Sequence, residues 1–292
     1  MWKHAIPRLL VCIALLGTAV VSLAAPPLQL DVYNPGATAA FPVSSVLVSG
    51  ERDAILIDAQ FARPQAEQLV AKIRHSGKNL TTIYISHGDP DYYFGLEALT
   101  GAFPQAKVVA SAPTVAHIKA TMAAKLAYWG PQMGDGAPDK VIVPELMQGS
   151  ALTLEGHELQ VIGLDGPQPE RSFVWIPSIK AVVGGVVLSN NIHVWMADTQ
   201  SAASHQDWLA TLARIESLEP VTVVPGHFLP GKLDSRDAAE FTAGYIKAFD
   251  AQAAQVKDAA ELIVAMQALY PDLAEESSLE ISAKVAKGEM QW

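Results

Sequence analysis

The chain has 292 residues, 50% of them hydrophobic and 17% charged, which excludes a largely disordered protein and allows a large buried core. Thirty acidic residues against 20 basic ones give a formal net charge of −10. That balance speaks against nucleic acid as a partner and otherwise serves solubility.

The first expected element is a targeting segment over residues 1–24. Lys3 and Arg8 form a positive start, Leu9 to Leu23 an apolar run, and Ser22-Leu23-Ala24 offers small residues for cleavage. Export to the periplasm or the medium follows as an expectation. The competing reading is an uncleaved membrane anchor, because the run approaches the length of a span. Cleavage would remove Lys3 and Arg8 and leave a formal charge of about −12. It would also remove Cys12, the one cysteine, so the remaining chain has no disulfide and no thiolate ligand.

Residues 25–292 read as one domain, since no Gly-, Ser- or Pro-rich stretch separates two halves. LQLDVYN (28–34) and VSSVLVSG (43–50) alternate apolar and polar residues as half-buried strands do, and AILIDA (54–59) follows a turn. Arg63 to His75 carries Ala66, Leu69, Val70 and Ile73 at helical spacing and ends at Gly77. TTIYIS (81–86) is again a strand. A short helix near Gly95 to Leu99, a strand at KVVAS (107–111) and a helix from Thr114 to about Trp129 come next. After a Gly- and Pro-broken stretch the chain returns to strands at ALTL, HELQVIGL, SFVWIP and KAVVGGVVL, each bounded by turn residues. His205 to Leu218 reads as a helix and VTVVPGH (221–227) as a strand running into a loop. From about 235 onward the pattern is one of surface helices. Two strand-rich halves flanked by helices suggest two sheets packed face to face with helices outside. Periodicity alone leaves a doubly wound α/β fold open.

The chemistry-bearing residues cluster in SHGDPDYYFG (86–95). His87, Asp89 and Asp91 stand at alternate positions directly after an apolar strand, where side chains from a short loop can converge on a cation. Gly88, Asp89 and Pro90 are also ordinary turn formers, and an Asp there can cap the next helix. His227 follows the late strand in VVPGH, at another strand-to-loop junction.

Taken together, these segments resemble the metallo-β-lactamase superfamily, whose fingerprint is H-x-H-x-D-H after a strand, a later histidine, a Gly-Asp pair and a final histidine in a Pro-Gly-His loop. The resemblance spans roughly residues 28 to 231 and includes ILIDA (55–59), WIPSIKAVVGG (175–185) and VVPGH. It implies a four-layer αββα sandwich of the α/β (α+β) class with extra C-terminal helices. It also implies a metal-dependent hydrolase using a metal-activated water on a small ester, lactone, amide or phosphoester. Asp58, at the end of ILIDA, matches a position that supports the metal loop from behind.

Several positions depart from the fingerprint. Asp89 stands for the second histidine and Tyr92 for the last, Asp165 is the nearest replacement for the middle histidine, and Gly184-Gly185 replaces the Gly-Asp pair. The expected metal ligands are therefore His87, Asp89, Asp91, Asp165 and His227, enough for one divalent ion. The family points to zinc, while the oxygen-rich set would also suit iron or manganese. Asp91 would orient or deprotonate the water. Tyr92 would bond a substrate oxygen or Asp89, unless it only packs beside Tyr93 and Phe94. His193, in NNIHVWMAD, is a candidate ligand or general acid/base, with a buried loop hydrogen bond as the alternative. His75, His117, His157 and His205 read as ordinary surface or core-edge residues. The competing functional reading is a non-catalytic member that binds a small ligand in the same cleft. No G-x-S-x-G elbow supports a serine hydrolase.

Overall fold

The computed structural model describes residues 1–2, 26–231 and 234–292; apart from its first two residues, the expected targeting segment lies outside them. Six strands form the first sheet in chain order: β1 (Gln29–Tyr33), β2 (Ser45–Ser49), β3 (Asp53–Ile57), β4 (Asn79–Ile85), β5 (Lys107–Ala110) and β6 (Glu145–Leu146). The first three are antiparallel, the last two of them joined by a short turn. From β3 to β6 the pairing is parallel, so each connection must cross over through a helix. These helices are α1 (Arg63–Ser76), α2 (Pro90–Tyr93) with α3 (Leu96–Ala102), and α4 (Ala112–Met133).

A second sheet holds β7 (Ala151–Leu154), β8 (His157–Ile162), β9 (Phe173–Ile176), β10 (Ala181–Val183) and β12 (Thr222–Val223), with order β12-β10-β9-β8-β7. The short strand β11 (Ser189–Asn190) precedes β12 and pairs in parallel with β13 (His227–Phe228). Four helices follow or interrupt this half: α5 (Ala202–Ser217), α6 (Ala238–Ala253), α7 (Ala259–Leu269) and α8 (Glu276–Ala286).

Strand alternation builds the layers. On the first sheet Leu47, Leu56, Ile83 and Ile85 face α1, α3 and α4, while Val46, Val48, Ile55 and Ile57 face Val161, Val174, Ile176 and Val183 of the second sheet. The far face of that sheet, Phe173, Trp175 and Val182, is covered by Trp208, Ile246, Leu262 and Leu279 from α5 to α8. Three apolar seams thus separate four layers, the expected αββα sandwich with added C-terminal helices. Among the described residues no helix is long and apolar enough to cross a membrane.

Two of the differences from expectation concern helix α4 and the strand at KAVVGGVVL. Helix α4 starts two residues earlier and ends four later. The Ser111 hydroxyl accepts the Thr114 amide at its start, and Pro131, which has no amide to give to the ladder, falls in its last turn, two residues before the helix ends. The expected strand KAVVGGVVL breaks after Val183. Gly184 and Gly185 both take positive φ, 67° and 80°, a conformation that a side chain resists.

Candidate functional site

The ends of β3, β4, β10 and β12 meet at one rim of the sandwich, and two turns there are tied by a single serine. Asp58 (φ 66°) accepts the Ser86 amide at 2.8 Å and the Ser86 hydroxyl at 2.6 Å. The same hydroxyl oxygen accepts the Gly185 amide at 2.7 Å. A Cβ on Gly184 would sit 2.8 Å from Ile57 Cγ2 and 3.3 Å from the Ser86 side chain, so glycine is what lets the two turns touch. Burial pushes the Asp58 carboxyl up to about 7 against the lowering pull of the Ser86 bonds. Asp58 therefore supports the loop from behind.

On this base stand two imidazole–carboxylate pairs. The Nδ1 of His87 lies 3.1 Å from the Glu170 carbonyl oxygen, which can only accept, so this nitrogen donates. The opposite nitrogen, Nε2, faces Asp89 Oδ2 at 3.1 Å. His227 Nε2 lies 2.6 Å from Asp91 Oδ2, across 136 positions of sequence. Its Nδ1 is 3.2 Å from the Tyr92 hydroxyl, which also reaches the Gly185 carbonyl at 3.5 Å. The Tyr92 ring is fully buried and packs edge-on between His87 and His227, 5.2 and 5.5 Å from their centres. Burial, then the Asp91 charge, raises its phenol well above the usual value. Tyr92 thus aims the His227 ring from behind; it does not face the pocket.

Asp89 has further company that sequence reading missed. Lys125 Nζ lies 3.4 Å from its Oδ1, and His117 Nε2 3.7 Å from the same atom. Burial pushes the Asp89 carboxyl up, but His87, then His117 and Lys125, outweigh it and hold the group well below the usual carboxylate range. His117, read from sequence as ordinary, stacks on His87 at 6.2 Å, and a Cβ on Gly88 would press within 2.5 Å of its ring. The available signal was the spacing of His117 and Lys125, eight residues apart and so on one face of α4. Arg171 is also buried here, its guanidinium 4.2 Å from the Trp208 ring centre and its Nε and Nη2 without a hydrogen-bond partner among the described residues.

Not every expected residue arrives. Asp165 is a correction: its side chain is 84% exposed and faces Arg214 at 3.6 Å, because the loop after β8 turns outward at Gly163 (φ 105°). His193 does reach the pocket wall but is buried, its Nδ1 3.0 Å from the Tyr245 hydroxyl. Burial pushes its imidazole down to about 4, so at pH 7 the ring is not the imidazolium that a general acid would need.

The pairs open into a cleft. Asp89, Asp91 and His227 lie along it, together with Asp198 and Glu275. Burial and then the Asp89 charge raise the Asp198 carboxyl. Burial raises Glu275 as well, against the pull of His227.

Among the described residues no three His, Cys, Asp or Glu side chains form a ready group around one point for a metal ion. The four converging donors are divided into two pairs, fewer per point than the three or four protein ligands of a closed site. In kind they still suit a divalent ion. With Nδ1 of His87 committed to a carbonyl, its Nε2 is a lone pair aimed at a carboxylate oxygen, and that contact needs a proton or a cation between the two atoms. A backbone carbonyl behind the ring is also the usual way of orienting a ligand histidine.

Residues 38–227 match the family model described as Metallo-beta-lactamase superfamily. No curated protein matches the chain. Among solved structures, a metallo-beta-lactamase family protein from Thermus thermophilus is similar at 19% identity and TM-score 0.59, covering 88% of this chain and 91% of the other. The DIM-1 metallo-beta-lactamase exposed to ceftazidime is similar at 17% identity and TM-score 0.52, over 76% of this chain and 98% of that one. At such identities the likeness shows a shared fold.

Proposed function

Because the chain belongs to the metallo-beta-lactamase superfamily, whose members support metal-dependent hydrolysis in general and typically bind zinc, we propose that it hydrolyses a small ester, lactone, amide or phosphoester in the cleft beside Asp91 and His227. The observation that supports this most is the 2.6 Å contact between Asp91 and His227 at the cleft wall. One divalent ion, zinc by family and iron or manganese by donor chemistry, would be held by His87, Asp89, Asp91 and His227. When bound, such an ion lowers the pKa of a water to about 7 and polarises the bond under attack.

The chain's own groups do the rest. Asp91 orients the attacking water and accepts its proton on Oδ1, the carboxylate oxygen not turned to His227. Tyr92, behind His227, keeps that nitrogen turned to the cleft, and the Asp58–Ser86–Gly185 tie keeps both loops in register. His193 acts as a neutral wall residue. A small-molecule substrate, export to the periplasm or medium, no nucleic-acid partner and no lasting membrane association after cleavage of residues 1–24 complete the proposal.

One observation favours a second reading, ligand binding without turnover: Lys125 already neutralises Asp89. Metal content after anaerobic loading with zinc, iron or manganese, measured together with turnover of a panel of small esters, lactones and phosphoesters, separates the two. We expect about one ion per chain and hydrolysis that falls at least ~100-fold in Asp91→Ala and His227→Ala, with Asp165→Ala within about twofold of the unaltered chain, as for an exposed residue. If no ion is retained under any loading and no substrate turns over, the hydrolytic reading fails.

A further inference from the structure

The cleft has an aromatic wall that the hydrolytic chemistry does not use. Trp195 and Trp292 meet edge-on at 5.1 Å, Phe41 packs against Trp195 at 6.4 Å and against Trp129 at 5.2 Å, and Phe61 meets both Phe41 and Trp129. All five rings line the same cleft as Asp91 and His227. Their orientation is fixed by one carboxylate: Asp198 accepts the Trp195 indole N–H at 2.6 Å on one oxygen and the Trp292 indole N–H at 2.7 Å on the other. Lys125 fastens this wall to the reactive loop, its ammonium lying 4.8 Å from the Trp292 ring centre and 3.4 Å from Asp89.

Such a wall has a purpose that can be stated chemically. Tryptophan and phenylalanine edges and faces held in place favour a flat aromatic partner over a puckered saturated one, because offset and edge-to-face contacts add to simple burial. Rings fixed beforehand lose little freedom when a ligand arrives. Charge narrows the choice. Among the described residues, the one lysine or arginine lining the cleft is Lys125, which is committed to Asp89; Arg171 lies buried behind Trp208, while Asp91, Asp198 and Glu275 present carboxyl oxygens. A carboxylate on the ligand body finds no free cation among them.

We propose that the cleft selects substrates with a flat, uncharged aromatic body, seated against Trp195 and Trp292 with the scissile group toward Asp91 and His227. Asp198 is the positioning residue for that selectivity. The proposal rests on the cleft being the substrate site and specifies which class of ester or lactone it takes.

Calorimetric titration of the full chain with three ligands lacking a hydrolysable bond tests it without relying on turnover: 2-phenylethanol, 2-cyclohexylethanol and 4-(2-hydroxyethyl)benzoate. We expect the phenyl compound to bind about tenfold more tightly than the cyclohexyl one and at least about tenfold more tightly than the benzoate, the scale of one aromatic contact. Trp195→Leu should bring the phenyl-to-cyclohexyl ratio to about one, and Asp198→Asn should reduce it while thermal unfolding shows the fold retained. Equal binding of phenyl and cyclohexyl ligands, a benzoate bound as tightly as the phenyl compound, or an unchanged ratio in both folded variants would overturn the proposal. Hydrolysis of any small ester is a separate readout, so failure of the selectivity and failure of the hydrolytic reading are distinguishable.

Discussion

At the scale of single residues, most of the site's side chains act by holding other side chains. His193 gives a direct test. Burial sets its folded pKa at about 4, below the ordinary value of about 6.5. The unfolded chain therefore takes up a proton at this position first, and stability drains away as pH falls from 6.5 through 4. The loss amounts to at most about 3 kcal/mol. His193→Asn keeps a hydrogen-bonding atom for Tyr245 and removes the titration. Chemical denaturation of both proteins at pH 7, 5.5 and 4 should show a gap that narrows or reverses toward low pH, and a constant gap would mean that the ring is not held neutral. Legibility at this scale followed locality. His87, Asp89 and Asp91 were readable because three donors sit within five residues of one strand end, and His227 because it follows a strand in a Pro-Gly-His turn. Lys125, Asp198 and Glu275 were not, because helix α4, the loop after β11 and the residue before α8 bring them in through space. Asp165 was misplaced because a match of spacing carries no information on which way a glycine-started loop turns.

At the scale of elements, Glu155 shows how the two sheets are joined away from the site. Between β7 and β8, at φ 49°, its carboxylate accepts the successive backbone amides of Glu51, Arg52 and Asp53 at 2.6, 2.7 and 2.9 Å. Those bonds, Asp53 first, hold the group down at about 2. A depressed carboxyl pKa contributes stability above the unfolded value of about 4.5, and that contribution disappears as pH falls through 2. Glu155→Gln should thus lower the thermal midpoint at pH 7, with the difference from the unaltered chain shrinking at pH 2; a difference independent of pH would refute the assignment. The strands themselves were largely visible in the sequence, since alternation in VSSVLVSG and AILIDA reports one covered face on each side. The exception is the break at Gly184-Gly185, where positive φ at both glycines and the Gly185 bond to Ser86 end β10 inside an otherwise apolar run.

At the scale of the whole molecule, the late helices belong to both the core and the cleft. Leu262, Met266 and Leu279 are fully buried against the second sheet, and at ~1.5–3 kcal/mol each they contribute an amount comparable to the net stability of an ordinary domain. The same stretch carries Glu275, Ser278 and Trp292 into the cleft wall. A chain ending at Lys257 should therefore be recovered mainly as aggregate, and any soluble fraction should lack the aryl preference. A soluble, cooperatively unfolding fragment would show these helices to be ornamental. The layered architecture was foreseeable from the order of elements, but the part the last helices play in the cleft was not, because surface-like amphipathic periodicity does not say what a helix covers. The contact between Asp91 and His227 joins an early loop to a late one. A nascent polypeptide that has not yet extended past residue 227 has no such pair, whatever its first half has folded into, so the proposed reactive centre can be assembled only late in biosynthesis.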